Sequence, residues 1–69
     1  MPLWTATQFD RATLELTGAE EVYQAPTAAA ALRHLTYTRQ LTNGSPVKVG
    51  PTARVLYHGT YGWTLTPAK

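Results

Sequence analysis

Turn-forming residues interrupt this 69-residue chain so often that few of the pieces between them could hold a long helix. They recur at Gly18, Pro26, Asn43-Gly44, Pro46, Gly50-Pro51, Gly59, Gly62 and Pro67. The intervening pieces have the length of β-strands, and Thr, a strand-favouring residue, occurs twelve times. The spacing therefore predicts an all-β fold, a small antiparallel β-sandwich or barrel of about six strands.

Two alternating segments in the first third of the chain predict strands. Residues 12–17 place Leu14 and Leu16 on one face and polar side chains on the other. A turn at Gly18-Ala19 then leads into residues 20–25, and Pro26 ends that segment because it cannot donate to a strand ladder.

Residues 28–41 carry two conflicting patterns. Thr27 could cap a helix, and Ala28, Ala31, Leu32 and Leu35 share one helical face. Leu35-Thr36-Tyr37-Thr38 is instead rich in β-forming residues and continues as an alternating pattern to Leu41. We favour a strand, with a helix as the open alternative.

Two hairpins are predicted in the second half of the chain. Asn43-Gly44 can supply the positive φ angles of a tight turn, which would join residues 35–42 to 47–49. Gly59-Thr60-Tyr61-Gly62 lies between residues 54–58 and 63–66 and is predicted to be the second connection. Tyr61 would then lie at a loop tip, where a large aromatic side chain is typical of a contact residue.

The chain is short enough to form a single domain, which we divide into an extended N-terminal arm, residues 1–9, and one small β domain, residues 10–69. The arm carries Leu3, Trp4 and Phe9, which either fold back on the sheet or dock on a neighbouring subunit. Together with Tyr61 they are the candidate protein-interface residues. Because the chain has no cysteine with which to form a disulfide, self-association is the expected additional source of stability.

Catalytic and metal-binding patterns are weak. Glu20 and Glu21 would point to opposite faces of a strand, and His34 and His58 have no clustered third ligand. No glycine-rich phosphate loop leads into a helix, and no apolar run approaches the roughly 20 residues that span a bilayer. We therefore expect no enzymatic activity, no cofactor or bound metal and no membrane partner.

Nucleic acid binding is the alternative function. Tyr37 and Tyr57 could stack on bases while Arg39 and Arg54 contact the backbone. The formal charge of +2 is low for such a role, so we favour a core role for most of the aromatic residues. An enzyme accessory or inhibitor subunit is a third possibility.

Three segments resemble a pattern found in small structural proteins of tailed bacteriophages. They are Val22-Tyr23-Gln24-Ala25-Pro26-Thr27, Ala31-Leu32-Arg33-His34-Leu35 and Leu41-Thr42-Asn43-Gly44-Ser45-Pro46-Val47-Lys48-Val49. The resemblance covers about residues 20–50 and implies a β-sandwich that serves the virion as a decoration, head-completion or tail component. Its implied partners are other virion proteins, such as the major capsid or tail protein.

Overall fold

A computed structural model describes residues 1–68 of the chain, and within them five antiparallel strands form one sheet beside one short helix. The elements are β1 (Leu3–Asp10), β2 (Leu16–Gln24), α1 (Ala28–Thr38), β3 (Ser45–Lys48), β4 (Arg54–His58) and β5 (Tyr61–Pro67). The strand order across the sheet is β2-β1-β5-β4-β3. The protein is therefore mostly β, as predicted, but a sandwich or barrel of about six strands is not confirmed.

The segment expected to be an extended arm is a strand inside the sheet. β1 pairs with β2 on one side and with β5 on the other. Trp4 and Ala6 alternate with more accessible neighbours and are buried, at 5% and 0% exposure. The indole Nε1 of Trp4 donates a hydrogen bond of 2.9 Å to the carbonyl oxygen of Ala25. These apolar side chains fold back on their own sheet, so the arm is not confirmed.

The first turn falls earlier than the sequence pattern predicts. The carboxylate of Asp10 accepts hydrogen bonds from the backbone N–H groups of Ala12 and Thr13, which closes a turn directly after β1. Leu14 has a φ of 64°, and β2 begins at Leu16. The predicted strand over residues 12–17 is thus wrong for most of its length, and β2 runs through Gly18, where we expected a turn.

Residues 28–38 form a helix, so our preference for a strand is wrong. Thr27 has an extended backbone, and its hydroxyl accepts a hydrogen bond of 3.1 Å from the N–H of Ala30, which caps the helix. Ala28, Ala31 and Leu35 are buried against the sheet. Small alanine side chains let the helix approach the sheet closely, and this tertiary burial outweighs the β-forming residues of its last turn.

The second half of the sheet is a meander of β3, β4 and β5. The predicted hairpin between residues 54–58 and 63–66 is confirmed, but its turn is the two-residue step Gly59-Thr60. Gly59 has a φ of 63°, which suits the first position of a type II′ turn. The predicted hairpin at Asn43-Gly44 is wrong, because the residues before it belong to the helix and β3 pairs with β4 instead.

The core lies between the helix and one face of the sheet. Its largest fully buried side chains are Leu35 of α1 and Trp63 and Leu65 of β5. α1 packs on β1, β2 and β5. The core extends to Leu56 of β4 and to Leu41, in the segment that follows the helix. The opposite face of the sheet has no element packed on it within the described residues.

Candidate functional site: the open face of the sheet

The sheet face turned away from α1 is the candidate site, and we call it the open face. Alternation along each strand and the pairing registers assign its members. They are Leu3, Thr5, Thr7 and Phe9 of β1, Leu16, Glu20, Val22 and Gln24 of β2, Ser45 and Val47 of β3, Val55 and Tyr57 of β4, and Gly62, Thr64 and Thr66 of β5.

Four threonines form a block at the centre of the open face. Thr5 lies opposite Thr66, and Thr7 lies opposite Thr64, on the two neighbouring strands β1 and β5. The hydroxyls of Thr7 and Thr64 are 2.7 Å apart and hydrogen-bond to each other. Because the Thr7 and Thr64 hydroxyls already have a partner and all four β-branched side chains are stiff, a protein docking on this block would order little that is mobile.

Apolar side chains surround the threonine block. Leu3, Leu16, Val22 and Val47 are between 42% and 71% exposed, although they lie within strands. Such side chains in one contiguous region are typical of an interaction surface, whereas scattered ones need no explanation.

An aromatic cluster occupies the end of the open face near the Gly59-Thr60 turn. The rings of Phe9 and Tyr57 meet edge to face, with centroids 6.2 Å apart and an interplanar angle of 86°. The guanidinium of Arg11 lies 4.9 Å from the centroid of the Tyr57 ring and donates a hydrogen bond of 3.0 Å to the carbonyl oxygen of Gly59. The ring of Phe9 covers Gly62 so closely that a Cβ there would lie 2.3 Å from Phe9 Cζ. This end of the face is therefore closely packed.

Charge is distributed unevenly over the molecule. All four acidic side chains fall within residues 10–21, at the end of β1, in the following turn and in β2. Of the five basic side chains within residues 1–68, those of Arg33, Lys48 and Arg54 lie on α1, β3 and β4, whereas Arg11 follows β1 and Arg39 pairs with Glu21 of β2. Glu20 is the single charged residue among the open-face strand residues defined above, and the guanidinium of Arg11 lies over the Tyr57 ring at one end of that face. The protein thus has an acidic side at β2, a basic side toward β3, and a nearly neutral face between them.

The four candidate interface residues do not form one patch. Leu3 and Phe9 lie on the open face at opposite ends of β1, about 20 Å apart along the strand. Trp4 is part of the core. Tyr61 begins β5 on the helix side of the sheet and is 43% exposed, rather than lying at the tip of the turn.

The four residues proposed to bind nucleic acid also lie apart. Tyr37 is 87% exposed on α1, whereas Tyr57 belongs to the open face on the other side of the sheet. Arg39 forms an ion pair of 2.6 Å with Glu21 and covers the Trp63 ring. Arg54 donates to backbone carbonyl oxygens of its own loop. The structure therefore does not assemble these residues into one basic and aromatic face.

A shallow apolar groove on the helix side was not predicted from sequence. It lies between α1 and β3 and is lined by Leu32, Arg33, Thr36, Tyr37, Thr42 and Pro46. The sequence signal that could have located it, the helical face of Leu32, Thr36 and Arg33, is visible once residues 28–38 are read as a helix.

The titratable groups give few signs of a reactive centre. Burial raises the pKa of Tyr23, and the nearby carboxylate of Glu21 adds to the rise. Within residues 1–68, His, Cys, Asp and Glu side chains form no group of three or more that could hold a metal ion. His34 lies on α1 beside the Tyr23 ring, whereas His58 ends β4.

The described part of the chain also has no helix with the length and apolar character to cross a bilayer. Comparison of the sequence and the structure with models of known protein families, with curated proteins and with solved structures finds no match.

Proposed function

We propose that this chain is a non-enzymatic structural module of a bacteriophage virion, which decorates or stabilises the capsid or the head and tail assembly through protein–protein contacts. Its proposed partners are the major capsid or tail protein and further copies of itself. The virion assignment draws on the resemblance over about residues 20–50, and the mode of action draws on the open face.

The observation that carries the proposed mode of action is the exposure of strand side chains over a nearly neutral sheet face. Five strands about 4.8 Å apart, each rising about 3.3 Å per residue, give this face an area on the order of 500 Å². The largest apolar patch of a typical monomer is of similar size and often functional, at about 300–600 Å². A partner that covers the open face would therefore remove exposed Leu and Val side chains from water without burying an unpaired charge near its centre.

The predicted sandwich takes a new form in this proposal. The chain supplies one sheet with its inner face already covered by α1, and the partner supplies the second layer over the open face. Leu3 and Phe9 would contribute to the contact from β1, whereas Trp4 would act indirectly by holding β1 in place. An arm exchanged between subunits has no part in it, because Leu3–Asp10 is an interior strand, paired on both sides within its own sheet.

The experiment is to look for the chain in particles. A tagged copy is produced in the source cells during particle production, the particles are purified on a density gradient, and the chain is quantified against the major capsid and tail proteins by mass spectrometry. We expect a fixed ratio to a particle protein, and loss of that ratio for Val22→Lys, which places a charge on the open face. The matched control is Tyr37→Lys on the opposite side. Particles free of the wild-type chain would refute the virion assignment.

A further inference from the structure

We propose that a second copy of this chain occupies the open face, so that two sheets pack face to face with β2 of one copy over β3 of the other. The inference rests on the proposed function in taking the open face as a protein-contact surface. The occupant is argued from the neutrality of the face, the arrangement of charge at its margins and the area available.

The open face suits a copy of itself. In a two-fold symmetric contact the same surface meets itself, so a charged face would place like charges together. Here the centre is the block of Thr5, Thr7, Thr64 and Thr66, in which Thr7 and Thr64 already satisfy each other's hydroxyls. The surrounding Leu and Val side chains of both copies would pack against each other, as the inner faces of a sandwich do, with the sheets about 10 Å apart.

The charges at the margins select the orientation. Two sheets related by an axis that runs across the strands would place β2 over the partner's β2, which brings the acidic strands together. An axis that runs along the strands reverses the order β2-β1-β5-β4-β3 and places β2 over the partner's β3. In that arrangement Glu20 at the margin of one copy faces edge strand β3 of the other, whose exposed Lys48 lies beside Arg54 on the helix side of that strand. The long aliphatic stem of Lys48 can extend around this edge to the carboxylate.

The area that the two open faces can bury indicates how stable the dimer should be. Two faces on the order of 500 Å² each give about 1,000 Å², near the lower limit for a specific interface. We therefore expect a dimer that dissociates on dilution. Its population should rise where an assembly holds many copies at high local concentration.

The test is sedimentation equilibrium of the purified full-length chain over a range of concentrations, with circular dichroism of every variant to establish that it is folded. We expect a concentration-dependent dimer for the wild type. Glu20→Lys and Lys48→Glu should each weaken it on the order of tenfold, because each creates two like-charge contacts per dimer, and added salt should reduce this effect. The chain that carries both exchanges should dimerise like the wild type, as should an equimolar mixture of the two single variants.

Two matched controls distinguish an effect of the open face from a general effect of changing the net charge. Glu15→Lys makes the same charge change in the exposed β1–β2 turn and should leave dimerisation unchanged. Val22→Lys should abolish the dimer, whereas Tyr37→Lys on α1 should not. A wild-type monomer at all concentrations up to about 1 mM, corresponding to negligible affinity, would overturn the inference. So would a double exchange that fails to restore the dimer, or loss of the dimer with Tyr37→Lys alone.

These outcomes are independent of the particle experiment. A chain that is monomeric in solution and present in particles would refute the self-contact and leave the proposed function standing. A chain that dimerises through the open face and is absent from particles would do the reverse.

Discussion

Gly62 is the position at which one added methyl group tests the packing of the open face most directly. The ring of Phe9 lies over it, and a Cβ at Gly62 would lie 2.3 Å from Cζ, 2.7 Å from Cε1 and 3.0 Å from Cε2 of that ring. Gly62→Ala therefore forces Phe9 away from the sheet. The φ angle of Gly62 is not positive, so the substitution strains no backbone angle.

The magnitude follows from what Phe9 loses. The edge-to-face contact with Tyr57 is worth about 0.5–1.5 kcal/mol beyond burial. Re-exposing the half-buried ring forfeits part of the roughly 1.5–3 kcal/mol that burial of a whole Phe side chain contributes. Replacing glycine with alanine offsets about 0.5–1 kcal/mol of this loss, because a glycine within a strand loses more conformational freedom on folding than an alanine does. We expect a net destabilisation of about 1–2 kcal/mol, or a fall in Tm of roughly 4–8 °C for each kcal/mol.

The sign of the effect should depend on Phe9. In a Phe9→Ala background the obstacle is gone, so Gly62→Ala should stabilise the fold by about 0.5–1 kcal/mol. The assay is urea unfolding in dilute solution, followed by the fluorescence of the two buried tryptophans, Trp4 and Trp63. Gly50→Ala is the matched control, because a Cβ at Gly50 meets no atom within 4 Å. If Gly62→Ala changes the free energy of unfolding equally in both backgrounds, the packing of Phe9 on Gly62 does not govern this end of the sheet.

Three further predictions concern other parts of the fold. Thr27→Ala should destabilise the chain by about 1 kcal/mol in urea unfolding, because the helix loses its cap, and Thr27→Asn should not. Burial, and then the carboxylate of Glu21, raise the pKa of Tyr23 in the folded chain above its value of about 10 in the unfolded chain. The protonated Tyr23 hydroxyl therefore contributes stability that is complete below about pH 10 and is lost as pH rises through the folded pKa. Tyr23→Phe should therefore reduce the loss of Tm on alkaline titration, and an unchanged slope would contradict this origin. Gly44→Val should lower Tm, since a Cβ there lies 2.7 Å from Leu56 Cδ1, and a second substitution Leu56→Ala should reduce its effect.

The strand content of this chain is visible in its sequence, but the position of β1 is not. The alternation of Trp4 and Ala6 with Leu3, Thr5 and Thr7 is a normal strand pattern, yet its position ahead of the first turn signal suggested an arm. No local pattern tells whether a terminal strand lies at an edge or at the centre of a sheet. That depends on pairing with β5, about sixty residues away in sequence.

The helix shows how local signals can be weighed wrongly. Thr27 and the alanines that follow it are the start of a helix, and the β-forming residues Thr36, Tyr37 and Thr38 lie in its last turn. Tyr37 is almost fully exposed there. Because the strand preference of an aromatic residue comes from packing against neighbouring side chains, it has little effect at this position. The burial of Ala31 and Leu35 against the sheet decides the outcome, and this tertiary contact is not encoded in any short window.

The open face was only partly predictable. Thr5-x-Thr7 and Thr64-x-Thr66 each mark one face of a strand, but only the register of β1 with β5 joins them into a block. At Gly44 the sequence suggested the positive φ angle of a tight turn. Gly44 has no positive φ, and it is the close approach of Leu56 that excludes a larger side chain.

The seam between β1 and β5 has a consequence for how the chain folds. β1 forms a local hairpin with β2, and β3, β4 and β5 form a local meander, so each half of the sheet can start from contacts between near neighbours. The two halves of the sheet join along the seven residue pairs between β1 and β5, from Trp4 with Pro67 to Asp10 with Tyr61, which closes a loop of nearly the whole described chain. Such long-range pairing raises contact order, and we expect folding in milliseconds to seconds rather than microseconds. During synthesis, β1 must wait with one edge unpaired until β5 has emerged from the ribosome.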